Sequence, residues 1–248
     1  ADDMTRTYTT SNSRNHTLDI VRTFAIGLMV IFHFIYDLKF FGYVDWDTPD
    51  GFGWRQFRWI IISLFFICLG ISITFTHKHS FRRKKFLFRV SQIAFAALLI
   101  SVVTYFAIPK NWIFFGVLHF LAFASCIVVW FVKLPKISLG IGLTFFLIGI
   151  LQLVPVRWPF HLLFNNLPSY TNDYVAIVPW LGMVFLGITI AHTKWFIGDP
   201  LAPKLVDEHL DKQVYSHTWL IWPGQHSLSI YLLHQPVMIG ALYLVSLL

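Results

Sequence analysis

Residues 18–40 read LDIVRTFAIGLMVIFHFIYDLKF, an almost unbroken apolar run. The hydrocarbon core of a bilayer requires about 20 apolar residues in a helix, so the run is long enough to span a membrane. Its segment FHFIYDL, residues 32–38, places His33 and Asp37 four residues apart. Residues four apart lie on one face of a helix. The stretch therefore predicts a membrane-spanning helix that has two ionisable groups on the same face.

The composition of the whole chain supports this interpretation. It is 56% hydrophobic and 12% charged, and its mean hydropathy is +0.65, whereas a soluble domain is about 25% charged. The net charge is +7, and the surplus Lys and Arg residues are clustered between the apolar runs. This distribution indicates that they set the orientation in a membrane rather than bind nucleic acid. Cys68 and Cys126 lie in apolar runs without metal-ligand spacing, so we expect free, buried thiols and no metal.

Apolar runs recur along the chain and define its organisation. The seven candidate spans are residues 18–40, 57–76, 86–107, 112–132, 137–154, 174–193 and 226–247. We therefore predict an all-α polytopic membrane bundle of about seven transmembrane helices, forming one domain over residues 17–248. Residues 1–16 form a polar tail that does not resemble a signal peptide.

Two spans have more specific features. The fourth and fifth are separated only by KLPK, residues 133–136, which predicts a tight helical hairpin with Pro135 at the turn. The fifth contains the Gly-rich stretch SLGIGLTFFLIGI, residues 138–150, and small residues let membrane helices approach closely.

Lysine and arginine predict the orientation. The strongest basic cluster is HKHSFRRKK, residues 77–85, and residues 41–56 contain three aspartates and one arginine. Cytoplasmic loops are enriched in Lys and Arg, so we predict a cytoplasmic N-terminus and an outer C-terminus in a bacterial inner membrane. Residues 194–225 are then cytoplasmic, and VDEHLDKQVYSH within them predicts a short interfacial helix.

Ionisable groups at membrane depth are energetically costly and are candidates for function. His33 lies about 22 Å along the first span at 1.5 Å per residue, past the midplane. A carboxylate one turn away can orient an imidazole and raise its basicity, which is the arrangement of a general base. Other polar or aromatic groups approach the same outer half: His119, Asp173, Trp180, His234 and Gln235.

Three other interpretations remain open. A single histidine in a span is often a helix–helix hydrogen-bond partner, and the chain could be a scaffold subunit of an envelope complex. A buried His/Asp pair also serves proton relays, as in a transporter or flippase of a sugar-lipid or proton-coupled solute, although no inverted repeat is visible. Histidines from different spans could bind a metal, but no pair inside one span has close ligand spacing.

Four segments together resemble a known family. They are LDIVRTFAIGLMVIFHFIYDL (18–38), IFFGVLHFLA (113–122), DYVAIVPWLGMVFLGI (173–188) and GQHSLSIYLLHQPV (224–237). In this order they are similar to the motifs of a bacterial family related to the catalytic domain of heparan-α-glucosaminide N-acetyltransferase. The last segment is also similar to a pattern of bacterial envelope acyltransferases that modify sugars.

The resemblance implies a transmembrane acetyltransferase. An acetyl group would pass from cytoplasmic acetyl-CoA to a sugar or glycan acceptor on the outer side. His33, oriented by Asp37, would be the base, and His119 or His234 would stabilise the oxyanion. The acceptor, N- or O-transfer, the acyl chain, a covalent intermediate and the oligomeric state, homo-oligomers included, stay open.

The resemblance also implies roles for the remaining candidates. Asp173 and Trp180 would line the sugar-facing mouth, and Gln235, near the middle of the last span, would contact the substrate or the oxyanion. Basic side chains would contact the phosphates of acyl-CoA: Arg22, Arg82, Arg83, Lys84, Lys85 and Arg89.

Overall fold

The computed structural model describes residues 15–164, 167–168, 171, 173–201 and 218–247, and the regular structure in these ranges is helical. The predicted all-α class is confirmed. The helices are α1 (His16–Phe40), α2 (Trp54–His77), α3 (Arg83–Ala107), α4 (Val117–Val128, continued by a 3₁₀ turn at Val129–Phe131), α5 (Pro135–Ile150), α6 (Phe160–Leu163), α7 (Ile177–Ala191), α8 (Lys194–Ile197), α9 (Thr218–Gln225) and α10 (Ser227–Ser246).

Each of the seven apolar segments contains a helix. Among the described residues, four helices, α1, α2, α3 and α10, are long and apolar enough to cross a membrane, while α4, α5 and α7 are apolar but shorter. The count of seven spans is therefore not confirmed and stays a prediction. The expected interfacial helix at residues 206–217 lies outside the described residues, as does most of the polar tail.

The first two long helices, α1 and α2, run in opposite directions. Near the C-terminal half of α1, Phe32 packs its ring against Trp54 and Phe57 at the start of α2. At the other end of α1, Arg22 shares a cleft with Thr76 from the last turns of α2. These two helices are consequently antiparallel, as adjacent membrane spans must be when a short loop joins them.

Helix α10 instead runs in the same direction as α1. Gly224, just before α10, lies against the backbone of Asp19, and its N–H donates to the Thr23 hydroxyl at 2.8 Å. Further along both helices, His234 contacts His33. The two helices that contain the candidate base and its neighbours therefore face each other over several turns.

Glycines permit close contacts on both sides of α7. A Cβ on Gly187 would collide with the carbonyl oxygen of Ile67 on α2, and a Cβ on Gly182 would lie 2.8 Å from the carbonyl oxygen of Gly142 on α5. The close approach expected for the Gly-rich fifth span is thus confirmed. The expected partner of this span was wrong. The KLPK connection predicted a hairpin of α5 with α4, but α5 packs mainly against α7. The sequence of α4 contains no glycine that could form such a contact.

The largest core cluster lies between α2, α4 and α7. The rings of Phe66 and Phe120 are 4.3 Å apart at its centre, and both side chains are fully buried. Cys68 is buried and free, as expected, but Cys126 is free and exposed. The expectation that both thiols are buried was therefore wrong for Cys126, because α4 buries the face of Phe120 and Ala124 instead.

Candidate functional site

Two histidines meet where α1 and α10 face each other. The His33 Nδ1 and His234 Nε2 atoms are 3.3 Å apart, and the two ring centroids are 4.9 Å apart. The Nδ1 of His33 also lies 3.0 Å from the carbonyl oxygen of Met29. The Nδ1 of His234 lies 2.7 Å from the carbonyl oxygen of Tyr231. Both rings are therefore held by their own helices as well as by each other.

A second contact between the same helices lies one turn further along α1. The Gln235 Nε2 donates to Asp37 Oδ1 at 2.8 Å, and Asp37 is only 2% exposed. The remaining oxygens, Asp37 Oδ2 and Gln235 Oε1, are buried without a hydrogen-bond partner among the described residues. Buried polar atoms in proteins are nearly always hydrogen-bonded, so these two acceptors fit a ligand that has hydrogen-bond donors.

The role expected of Asp37 differs from this geometry. Spacing along α1 predicted that its carboxylate orients His33, yet the structure pairs it with Gln235. The ring of His33 is held by Met29 and His234 instead. Sharing a helix face brings two side chains near each other, but the partners on α10 decide which contacts form.

His119 has a local role in the structure. Its Nδ1 accepts from the backbone N–H of Gly116 at 3.2 Å, at the start of α4. Its Nε2 lies 2.9 Å from the Ser101 hydroxyl on α3. Because one ring nitrogen caps the start of α4 and the other contacts Ser101 of α3, His119 does not join the His33–His234 contact in this arrangement.

Asp173 connects α4 to α10. Its Oδ2 accepts from the backbone N–H of Val117 at 3.2 Å and from the Tyr231 hydroxyl at 3.3 Å. Burial raises the pKa of Asp173 to about 6, although these hydrogen bonds and the charge of Arg58 act to lower it. The Tyr231 ring lies 5.9 Å from that of His234, so Asp173 supports the helix that presents the histidine.

Trp180 is partly buried at the edge of the largest core cluster. Its ring meets Phe66 edge-on with 6.1 Å between centroids, and it packs against the largest core cluster. The role at a sugar-facing mouth that the resemblance implies for Trp180 stays a prediction.

A basic cleft lies at the other end of α1. Its larger part has a volume of about 710 Å³ and is lined by Arg22, Arg82 and Arg89 together with Lys78. A smaller part of about 150 Å³ adds Lys85 and shares Arg22 and Arg89. Four of the six cationic residues expected to meet acyl-CoA thus line one region, and Arg83 and Lys84 are not among its lining residues. Arg22 also forms an ion pair with Asp19 at 3.2 Å.

Apolar packing links this cleft to the histidines. Phe65 of α2 lines the smaller part of the cleft and packs against the cluster that contains Met29, whose carbonyl oxygen contacts His33. Tyr231 packs against the same cluster. Arg22 and His33 are eleven residues apart on α1, or about 16 Å at 1.5 Å per residue.

Sequence reasoning missed several contributors to this site. Met29 and Tyr231 act through backbone carbonyl oxygens, which no side-chain pattern reveals. Phe65 lies in an apolar run with many phenylalanines. Within the described ranges, no three His, Cys, Asp or Glu side chains form a group that could hold a metal ion.

Comparison with known protein families assigns most of the chain to a family. The model of a family described as heparan-alpha-glucosaminide N-acetyltransferase, catalytic, matches residues 14–236. No curated protein matches the chain, and no solved structure matches it.

Proposed function

Because the chain belongs to the heparan-alpha-glucosaminide N-acetyltransferase catalytic family, we propose that it moves an acetyl group from cytoplasmic acetyl-CoA to a sugar or glycan acceptor across the membrane. The family relationship indicates an acetyltransferase, and the long apolar helices indicate a membrane protein. One observation carries the finer proposal. The paired histidines and the basic cleft occupy different ends of α1 and are connected by the packing of Phe65.

The basic cleft is the proposed donor end. Arg82 and Arg89 present positive charge in a cavity of about 710 Å³, which suits the several phosphates of CoA. Guanidinium groups bind phosphate through strong charge-assisted hydrogen bonds. The narrower apolar part is lined by Phe65 and Leu69, and Phe65 also packs against the cluster that contains Met29. This part suits the slender pantetheine arm of the donor.

The histidine pair is the proposed chemical end. His33 accepts the proton of the acceptor amine or hydroxyl while that atom attacks the thioester carbonyl. The C–S bond then breaks, and His33 returns the proton to the departing sulfur. Reactants and products balance: the acceptor loses one proton, which the released thiol gains. His33 needs no covalent acetyl intermediate in this route.

Asp37 and Gln235 are proposed to hold the acceptor. Their two unpaired oxygens lie one helical turn from the histidine contact and accept hydrogen bonds only. Sugar hydroxyl and amine groups are donors, so an acceptor bound there would satisfy both oxygens. Such positioning favours reaction because it removes much of the entropic barrier of bringing two reactants together.

The proposed orientation follows the distribution of charge. The basic cleft includes side chains from residues 77–85, the segment that the positive-inside tendency assigns to the cytoplasm. The histidines then lie toward the outer face of a bacterial inner membrane. Acetyl-CoA is a cytoplasmic metabolite, so this orientation places the donor site on the cytoplasmic side and the acceptor site on the outer side.

Sided proteoliposomes test the proposal. Radiolabelled acetyl-CoA is supplied to one face only, and a crude envelope-glycan extract is supplied to the other face. We expect label in the glycan when acetyl-CoA meets the basic cleft and none when the two are exchanged. Wild-type protein that neither binds nor cleaves acetyl-CoA would contradict the proposal, and a transport assay on the same vesicles would then test the relay interpretation.

A further inference from the structure

The protons on the two facing imidazoles can be assigned from their surroundings. A neutral imidazole has one N–H donor and one bare nitrogen that accepts. The Nδ1 of His234 faces two backbone carbonyl oxygens, of Tyr231 at 2.7 Å and of Ile230 at 3.2 Å. A carbonyl oxygen can only accept, so Nδ1 of a neutral His234 has the proton and its Nε2 is bare.

The same reasoning applies to His33. Its Nδ1 lies 3.0 Å from the carbonyl oxygen of Met29 and 3.3 Å from the bare Nε2 of His234. Both of these neighbours are acceptors, and a bare Nδ1 would face two lone pairs without a proton between them. Nδ1 of His33 therefore has the proton, and its Nε2 is the basic atom.

We propose that His234 is a positioning residue, whose Nε2 accepts from the Nδ1–H of His33 and thereby keeps Nε2 of His33 bare and turned to the substrate. This inference rests on the proposed function only for its effect on catalysis. This role of His234 differs from the stabilisation of the oxyanion that the resemblance implied. It stabilises the imidazolium that forms when His33 accepts a proton, since that cation still donates through Nδ1–H.

Alternatives for holding His33 are weaker in this geometry. The carbonyl oxygen of Met29 lies in the middle of α1, where it also accepts the backbone N–H four residues on. Met29 alone would leave the ring free to pivot about that single contact. Asp37, the other nearby acceptor on α1, pairs through Oδ1 with Gln235, and its Oδ2 makes no hydrogen bond to His33. The contact from α10 is the one that fixes the plane of the ring.

The chain offers a matched control. The Nδ1 of His226 lies 3.0 Å from the carbonyl oxygen of Trp222, four residues earlier, just as His33 faces Met29. His226 is exposed and stacks on the Trp222 ring. His226→Phe consequently removes a helix-bound imidazole without touching the pair.

Nitrogen NMR of the full chain labelled with ¹⁵N-histidine tests the assignment without any substrate. We expect the proton of His33 on Nδ1 and a scalar coupling across its N–H···N contact with His234. His234→Phe removes the coupling, while His226→Phe keeps it. A wild-type His33 protonated on Nε2, or the absence of coupling when both resonances are assigned, would overturn the inference.

Kinetics with acetyl-CoA then separate positioning from simple packing. His234→Phe is expected to lower kcat roughly 10- to 100-fold, part of the about 10²–10⁴ that general-base catalysis contributes, with KM little changed. His234→Gln, whose amide oxygen can accept from His33, is expected to recover most of the loss. Equal kcat in His234→Phe and wild type would overturn the role. The expected NMR signals in a protein without acetyl transfer would support the pair geometry while contradicting the proposed function.

Discussion

Asp37 and Gln235 are joined by a hydrogen bond of 2.8 Å between α1 and α10, one turn beyond the contact of His33 with His234. Adjacent residues of α10 thus engage residues four apart on α1. Because α10 contributes consecutive side chains, a small shift of this helix would disturb both contacts together. The pairing therefore ties the proposed acceptor contacts to the proposed base.

The buried Asp37–Gln235 contact predicts a difference between two substitutions. Asp37→Ala leaves the Gln235 amide nitrogen buried without a partner, which costs about 1–3 kcal/mol, whereas Asp37→Asn keeps an oxygen that accepts from it. Thermal unfolding in detergent should show a lower midpoint for Asp37→Ala than for Asp37→Asn. Equal midpoints for the two variants would mean that the hydrogen bond does not stabilise the fold.

The basic cleft predicts which cations affect donor binding. Arg89 lines both parts of the cleft, whereas Arg83 is not among the residues that line it. Loss of one charge-assisted hydrogen bond costs about 1.5–3 kcal/mol, so Arg89→Ala should raise the Kd for CoA at least about tenfold. Isothermal titration calorimetry measures the Kd for CoA of Arg89→Ala and of the control Arg83→Ala. A larger effect of Arg83→Ala than of Arg89→Ala would exclude the cleft as the donor site.

The contact of α7 with α2 predicts intolerance of even one added methyl group. Gly187→Ala places a Cβ against the carbonyl oxygen of Ile67, whereas a Cβ added to Gly140 of α5 would lie in open space. Overpacking typically costs about 1–3 kcal/mol, so Gly187→Ala should unfold at lower temperature while Gly140→Ala stays near wild type. Similar midpoints for both would show that α7 can move aside.

Asp199 predicts a stability effect that depends on pH. Its carboxylate accepts from the backbone N–H of His16 at 3.0 Å and of Thr17 at 2.7 Å, and from the Thr17 hydroxyl at 2.6 Å. Burial acts to raise the pKa of Asp199, but these hydrogen bonds and the charge of His16 hold it below its ordinary value of 3.8.

A lowered pKa means that the folded protein favours the charged carboxylate. Its contribution to stability is full above the unfolded value near 3.8 and is lost as pH falls through the folded value. Asp199→Asn should therefore unfold below the wild-type temperature at pH 7, and the gap should shrink toward pH 3. A difference in unfolding temperature that stays constant from pH 7 to pH 3 would show that the substitution acts through packing and not through the charge of Asp199.

The helical architecture could be predicted from sequence because apolar runs of bilayer length leave little choice of structure. The partner of α5 could not, since the contact between Gly142 and Gly182 depends on tertiary packing. In the same way, the KLPK connection predicted a hairpin with α4, although a short loop limits only the distance between helix ends.

The candidate site was partly accessible to the same reasoning. Helical spacing placed His33 and Asp37 on one face, and the expectation that α10 approaches this half of α1 agrees with the contacts of His234 and Gln235. Which pairs form depends on how α10 crosses α1, and a single sequence does not encode that angle in any local pattern. His119 illustrates the limit, because its cap on Gly116 arises only when α4 starts there.

The central claim is that His33 is the base for acetyl transfer, and His33→Ala tests it most directly. Transfer of labelled acetyl from acetyl-CoA to the glycan extract is measured beside CoA binding and thermal unfolding. We predict that transfer falls about 10²- to 10⁴-fold, while the Kd for CoA and the unfolding temperature stay near wild type. A His33→Ala protein that transfers acetyl at the wild-type rate would contradict the account.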